Sequence, residues 1–386
     1  MVWTAWQAAD RQRTGTIMKE MRIGGKQLFW LIATMQAGMT ILLTINPALV
    51  TAKQDAWLSM VIASVFGVFI AFVSARLSQL YPGKTFVEYV LLIVGRWAGH
   101  VFIFLYFLYW YSVLAIILRQ YAEFIAATIL PRTPMVVTIL GMLFVAIYVA
   151  SGGIEVIARC SEVFGPFILL GIFVPLILSS KGFSWNHILP VYSDTGIKTI
   201  IQGSLPTTTF LGDCIILIML FAFVPKPKSG TKPAMLGVGV AGLLTCISTF
   251  LLVAVIGYGA GAGLTYPFFN LIRYMTYFDF LQNLDSLVVA IWIISVFIKV
   301  SLYFFVSTYG TAQWLGVKKW KRLMWGVAPF VMLLAFIPRD FIESSVYFPQ
   351  KIAIPYLLPV HCVGVPLLLW GIAKLRSKGR AAEGRK

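Results

Sequence analysis

Long apolar runs alternate along the chain with short polar or Pro/Gly-rich punctuation, and most of the runs are too long and continuous for the amphipathic elements of a water-soluble domain. They read approximately from Gln27 to Val50, Ala56 to Leu80, Ala98 to Ile129, Pro134 to Ala150 and Ile157 to Leu178. A second set reads from Ile201 to Val224, Met235 to Gly259, Leu284 to Thr308, Met324 to Ile337 and Pro355 to Leu375. A helix needs ~20 mostly apolar residues to cross a bilayer, and most runs meet that length. The pattern predicts an all-α integral membrane protein with ten transmembrane helices over residues 27–375. A polar segment, 1–26, precedes them and a basic tail, 376–386, follows.

Composition agrees. Of 386 residues 59% are hydrophobic and 12% charged, against roughly 25% charged in a soluble domain, and the mean hydropathy is +0.87. Once ten spans are placed, the short connections leave no room for a separate soluble domain. The net charge of +17 would suggest nucleic acid in a soluble protein. Here Lys and Arg gather in alternate connections and at both ends, with no basic face interleaved with aromatics, so nucleic acid is excluded. With the N-terminus inside, the inner side holds more than three times the basic residues of the outer side, as the positive-inside rule expects. Both termini are predicted cytoplasmic. Met1 to Glu20 lacks the apolar core and cleavage site of a signal peptide, and Met18 and Met21 are alternative starts.

A lipid-spanning helix satisfies its backbone internally, so interruptions point to places where protein or a water-lined cavity supplies partners. The first run carries Gln36-Ala37-Gly38-Met39-Thr40 at its middle, between Thr34 and Thr44. The sixth carries Gly203-Ser204-Leu205-Pro206-Thr207-Thr208-Thr209-Phe210-Leu211-Gly212-Asp213. Pro206 lacks an amide proton, the threonines are stiff, and Gly212 adds backbone freedom, so helical bonding is expected to fail there. Each break alone is explained by a kink for close packing. Together they occupy equivalent places in two sets of five helices, about 27–180 and 201–375. Five is odd, so the second set enters the membrane in the opposite sense, as in inverted-repeat transporters whose broken helices hold substrate near the midplane. Gln36, Gly38, Met39, Thr40, Thr207, Thr208, Phe210 and Gly212 are the candidate substrate-binding residues. Freed amides at Gly38 to Thr40 suit a carboxylate, and unwound carbonyls around Thr208 to Gly212 suit an ammonium.

Ionisable residues inside the membrane are costly, at least ~2.5 kcal/mol each on insertion scales, and mark candidate coupling or charge-pairing positions. Asp213 either meets a cation or proton or caps the lower half-helix. Lys299, deep in the eighth run, faces the interior to pair with a carboxylate or helix-end carbonyls, or else snorkels. Arg119 and Glu123 share one helix face at i, i+4 and read as a structural pair or part of an outer vestibule. Cys160, Cys214, Cys246 and Cys362 stand singly, and His187 and His361 have no ligand partners in range, so neither a disulfide framework nor a metal site is expected. The run Gly257-Tyr258-Gly259-Ala260-Gly261-Ala262-Gly263 lacks the strand and the Lys-Ser/Thr of a phosphate loop. No catalytic motif is present; no enzyme and no cofactor are expected.

The connection Tyr81-Pro82-Gly83-Lys84-Thr85-Phe86-Val87-Glu88-Tyr89, the segment Phe210-Leu211-Gly212-Asp213, and Leu284-Asp285-Ser286 leading through Trp292 to Phe297-Ile298-Lys299-Val300-Ser301 resemble the spore germination permease family. That family supplies the B subunit of GerA-type germinant receptors within the amino acid-polyamine-organocation superfamily. The resemblance runs from about Gln27 to Leu375. It implies a LeuT-like fold of two inverted five-helix repeats in the spore inner membrane. It also implies an A-type membrane subunit and a C-type lipoprotein subunit as partners, and a small nutrient such as an amino acid as ligand. In a LeuT-like frame Lys299 is expected to stand in for a cation between the first and eighth spans. The chain departs from the family pattern at Asp213, where Glu is usual, at Gln282-Asn283-Leu284-Asp285, and in having a single Gly38 at the first break. Two functions fit: a nutrient-sensing receptor subunit, or an autonomous proton-coupled amino acid permease.

Overall fold

The computed structural model describes residues 21–273 and 284–383, and these contain helices and connections but no strand. Residues 1–20, most of the polar N-terminal segment, lie outside the described residues, as do Gln282-Asn283 and residues 384–386 at the end of the tail. Helices α1 (Gly25–Ala52) and α2 (Ala56–Gln79) are joined by one 3₁₀ turn. Short α3 (Phe86–Val94) leads into α4 (Arg96–Thr128), α5 (Met135–Ser151) and α6 (Ile154–Ser179). After an outer loop come α7 (Gly196–Gly212), the single turn α8 (Leu217–Leu220) and α9 (Pro227–Ile256). Short α10 (Tyr258–Ala262) and α11 (Pro267–Arg273) precede α12 (Leu284–Leu315), α13 (Trp320–Ala335) and α14 (Val365–Glu383). Among the described residues, seven helical stretches are long and apolar enough to cross a membrane, the first holding both α1 and α2. Helices α5 and α13, at 17 and 16 residues, are shorter.

Helices α1, α2, α7 and α9 pack on one another, while α12 lies against α1, α4, α5 and α6. Small residues let the first group approach closely. A Cβ on Gly242 of α9 would sit on the Ser64 side chain of α2, and one on Gly237 would come 2.8 Å from the Phe29 carbonyl of α1. Polarity is arranged for lipid. Phe144, Tyr148, Phe167, Trp325 and Leu333 are exposed, whereas Thr34, Gln36, Thr40 and Thr44 are completely buried. Connections assigned to one side by charge also meet one another. Lys26 pairs with Glu162 and Arg376 reaches the Leu92 carbonyl; at the other end Gln54 reaches Pro190, and Asn46 reaches Ala262 and Leu264.

The nine-residue connection quoted above is an N-terminal cap. The Thr85 amide donates to Glu88 Oε2 at 2.8 Å in a capping box that starts α3, and the Thr85 hydroxyl lies 2.7 Å from Gln313 Oε1 of α12. Tyr81 stacks on Tyr89 beside it.

Both expected helix breaks are corrected. Helix α1 runs unbroken through Gln36 to Thr40, so it offers no run of freed amides to a ligand there. The sixth span continues as α helix through Pro206 to Gly212, and only then tightens into 3₁₀ turns at Asp213–Ile216 and Phe221–Phe223. The threonines that were expected to disrupt it fold their hydroxyls back: Thr208 donates to the Ser204 carbonyl and Thr209 to the Leu205 carbonyl, both at 2.9 Å. A different irregularity lies before α14, where wide π-helical turns at Glu343–Tyr347 and Pro349–Gly364 carry Pro349, Pro355 and Pro359.

Candidate functional site

The point where α7 gives way to 3₁₀ turns collects the buried charges. Asp213, the first residue past Gly212, meets Lys299 of α12 with Oδ2 2.5 Å from Nζ, and the two side chains are 8% and 0% exposed. The other carboxylate oxygen accepts a hydrogen bond from the Tyr109 hydroxyl of α4 at 3.0 Å. That hydroxyl lies 3.8 Å from Cys362 Sγ in the π-helical segment. The Lys299 ammonium sits 5.5 Å from the centre of the Phe210 ring, within cation–π range. Lys299 was expected between the first and eighth spans; its partner is instead the sixth span's carboxylate. The reason is electrostatic, because an intact α1 offers no freed carbonyls while Asp213 offers a full charge.

Gln36 ties the same bend to α1 by donating from Nε2 to the Leu211 carbonyl at 2.8 Å. Two residues further, Gly38 meets α12. The Ser295 hydroxyl donates to the Thr34 carbonyl at 2.6 Å and accepts from the Gly38 amide at 3.2 Å. Thr34 and Gly38 are an i, i+4 pair of the α1 ladder, so a side chain of α12 is inserted at the step where a break was expected. A Cβ on Gly38 would fall 2.5 Å from Ser295 Oγ and 2.7 Å from its Cβ, which is why only glycine fits. Ser295 and Lys299 are themselves i, i+4 on α12, so one face of that helix serves both places.

Three cavities describe the space. A small one, about 40 Å³, touches Tyr109, Phe210, Asp213, Lys299 and Cys362. A vestibule of about 460 Å³ opens beyond it, lined by Asn46, Gln202, Gln350 and neighbours, and shares the Phe210 and Pro349 walls. Among the described residues no Asp, Glu, Lys or Arg lines this vestibule. A third, about 20 Å³ and nearly all apolar, lies between Gly38, Phe124, Trp292 and Ser295.

Of the predicted residues, the structure brings Phe210, Asp213 and Lys299 around one cavity, with Gln36 bracing it. Gly38 borders the apolar cavity instead. Met39 is core, and Thr40 is buried with an unpartnered hydroxyl. Thr207 reaches Met60 Sδ, Thr208 bonds within its own helix, and Gly212 packs near Cys362. Arg119 and Glu123 stand apart: Arg119 Nε meets Glu123 Oε1 at 2.6 Å, Arg119 Nη2 reaches the Arg339 carbonyl, and Ser344 donates to Glu123 Oε2. Sequence reasoning missed Ser295 and the specific roles of Tyr109 and Cys362. The spacing of Ser295 four residues before Lys299 was the available signal for the first. No group of three or more His, Cys, Asp or Glu side chains that could hold a metal occurs among the described residues.

Two comparisons assign the fold and then the family. The fold is that of LeuT-type transporters. The chain is similar to MhsT in complex with L-phenylalanine, with a TM-score of 0.63 and 13% identity over 90% of this chain and 88% of that one. It is also similar to a Na⁺-coupled sialic acid symporter, with a TM-score of 0.62 and 13% identity over 85% of this chain and 76% of that one. The chain belongs to the spore germination protein family, whose model matches residues 22–343. Among its relatives are spore germination protein YndE of Bacillus subtilis, 28% identical over 85% of this chain and 90% of that protein, and spore germination protein KB of the same organism, 27% identical over 96% of this chain and all of that protein.

Proposed function

We propose that this chain is the nutrient-sensing B-type membrane subunit of a germinant receptor, working beside an A-type membrane subunit and a C-type lipoprotein subunit in the spore inner membrane. It crosses the membrane ten times as two inverted repeats, about 27–180 and 201–375, with both termini cytoplasmic. The ligand is a small nutrient, an amino acid in this reading. It enters from outside through the vestibule and is read at the cavity beneath Phe210. The observation that carries this is a vestibule with no charged side chain among the described residues that line it, ending on a buried Asp213–Lys299 pair, in a chain of the spore germination family. Support for the ligand class comes from MhsT, which shares the fold and holds L-phenylalanine.

Spores in which Lys299→Met replaces the native chain test the reading. They should show a weakened or abolished nutrient dose response, and spores carrying Asp213→Asn with Lys299→Met, which strands no charge, should show the same loss at normal abundance; an unchanged response at normal abundance rejects the site. Thiols introduced at Lys228 or Lys319 should be protected from outside reagents and thiols at Ser193 or Glu343 should react. The transporter fold itself favours a second reading, a proton-coupled amino acid permease. Accumulation of labelled amino acid by proteoliposomes holding this chain alone would select it.

A further inference from the structure

The chemistry of the Asp213–Lys299 pair narrows the class of ligand, on the reading that this cavity is where the nutrient is sensed. An ammonium has three N–H donors. Apart from Asp213, the Lys299 ammonium has no hydrogen-bond partner among the described residues, although it is completely buried. It borders the cavity together with its partner carboxylate. The lysine is therefore held by one ion-pair contact and has N–H donors to spare at the cavity it borders.

Consider what each kind of ligand does to two opposite charges in a site of low polarity. A cation that takes Asp213 strands Lys299, and an anion that takes Lys299 strands Asp213; either leaves one buried charge uncompensated. A neutral ligand leaves the pair closed and gains nothing from it. A zwitterion avoids both penalties, because its ammonium replaces Lys299 at the carboxylate while its carboxylate replaces Asp213 at the lysine. Two ion pairs then stand where one stood, and the net charge of the site is zero before and after.

We propose that the ligand is a small aliphatic α-amino acid that binds by inserting into the Asp213–Lys299 ion pair, ammonium to Asp213 and carboxylate to Lys299. Asp213 is positioned for this by the Tyr109 hydrogen bond on its second oxygen, which leaves Oδ2 to be exchanged. The remaining lining, which sets the side chain, is mainly aliphatic at Val113, Ile116, Ile117 and Leu357, with Phe348 aromatic and Gln120 and Thr209 polar. Access fits as well. Among the described residues no charged side chain lines the vestibule, so a ligand that passes Phe210 and Pro349 from it meets these two charges next. At about 40 Å³ the cavity is closed around the pair, so the exchange requires the two side chains to part. Separation of α12 from the α7 bend is thereby the signal that binding produces.

The test uses the full-length chain in lipid nanodiscs, with thermal shift and equilibrium binding as readouts. The probes are L-valine, its amide (cation only), isovalerate (anion only), and the neutral nutrients glucose and inosine. L-valine is expected to bind, with the amide and isovalerate at least tenfold weaker, and the double variant D213N/K299M is expected to lose L-valine binding at least tenfold. The charge-reversed double variant D213K/K299D keeps an ion pair but inverts it, and should fold without recovering wild-type affinity. The probe comparison is made on the wild-type protein, so it stands even where a variant fails to fold. Equal binding of L-valine and its amide, or full L-valine binding by D213N/K299M, overturns the exchange. Binding of glucose or inosine in place of L-valine overturns the zwitterion and leaves the nutrient-sensing reading intact. Absence of binding by every probe, together with normal germination of Lys299→Met spores, rejects both.

Discussion

Two ion pairs are buried among the described residues, and their surroundings differ in a way that separates framework from function. Arg119 and Glu123 lie on one helix at i, i+4, and each has a second partner in the chain leading to α14, the Arg339 carbonyl for the arginine and the Ser344 hydroxyl for the glutamate. Each partner is held by contacts that do not face the Phe210 cavity, and the result is a clamp between the end of α4 and the last span. Asp213 and Lys299 come from different helices, and apart from Asp213 the lysine has no hydrogen-bond partner among the described residues. Both pairs reach a cavity, Glu123 a wide one of about 510 Å³ and Asp213 with Lys299 the small one of about 40 Å³. A pair in which both partners have a second hydrogen bond resists change, whereas one whose lysine has none, set between two helices, can be opened.

The largest effect should come from stranding one charge. Asp213→Ala leaves Lys299 buried and alone, a loss of about 3–5 kcal/mol in stability by the general rule for buried pairs, and Arg119→Met does the same to Glu123. Thermal unfolding in detergent measures both, and a change under 1 kcal/mol in either would show that lipid or water reaches the orphaned group. Neutralising both partners is what tells the pairs apart. Arg119→Met with Glu123→Gln should recover most of the stability and retain the nutrient response. Asp213→Asn with Lys299→Met should recover stability while the response stays lost. If the two double variants behave alike in germination, the contrast between clamp and switch fails.

How much of this was legible in the sequence follows from the range of the interactions. The spans were legible because the free energy of placing some twenty apolar residues in hydrocarbon is local to each segment. That Lys299 needs a carboxylate was legible for the same reason, since a buried charge is costly wherever its partner lies. Which carboxylate was not, because Asp213 is brought to it only by the packing of the α7 bend on α12. The helix breaks were misplaced because propensity was weighed without rescue. Thr208 and Thr209 satisfy backbone carbonyls of their own helix, and Ser295, from a distant helix, fills the one step of α1 where Gly38 exposes the ladder. Glu88, by contrast, was seen only as part of a family motif, although Thr85-x-x-Glu88 is a capping box by spacing alone.

An intermediate effect is expected where α1 meets α12. Gly38→Ala drives a methyl to 2.5 Å from Ser295 Oγ, an overpacking that costs about 1–3 kcal/mol. Ser295→Ala is a poor suppressor because the Ser295 Cβ is itself only 2.7 Å from the added atom; Ser295→Gly removes both obstacles and should restore part of the lost melting temperature. Gly38→Leu should abolish or alter the nutrient response at normal abundance. A Gly38→Leu variant with wild-type dose response would separate the α1–α12 contact from sensing altogether.

The smallest effect belongs to Glu88, a carboxyl away from both pairs. Burial raises its pKa from the usual 4.5, and the Thr85 amide and hydroxyl offset this only in part. A carboxyl whose folded value lies above its unfolded one favours the protonated form in the native state, so its contribution to stability is fully present below about pH 4.5 and is lost as pH rises through the raised value. Glu88→Gln keeps an oxygen to accept the Thr85 amide while removing the charge. The variant should gain on wild type as pH rises from 4 to 8, by an amount on the order of 1 kcal/mol or less, because the capping contacts persist in both. Melting temperatures measured across that range check it. A variant that instead loses ground with rising pH would mean that the ionised carboxylate, through Thr85 and Lys84, is the form the cap requires.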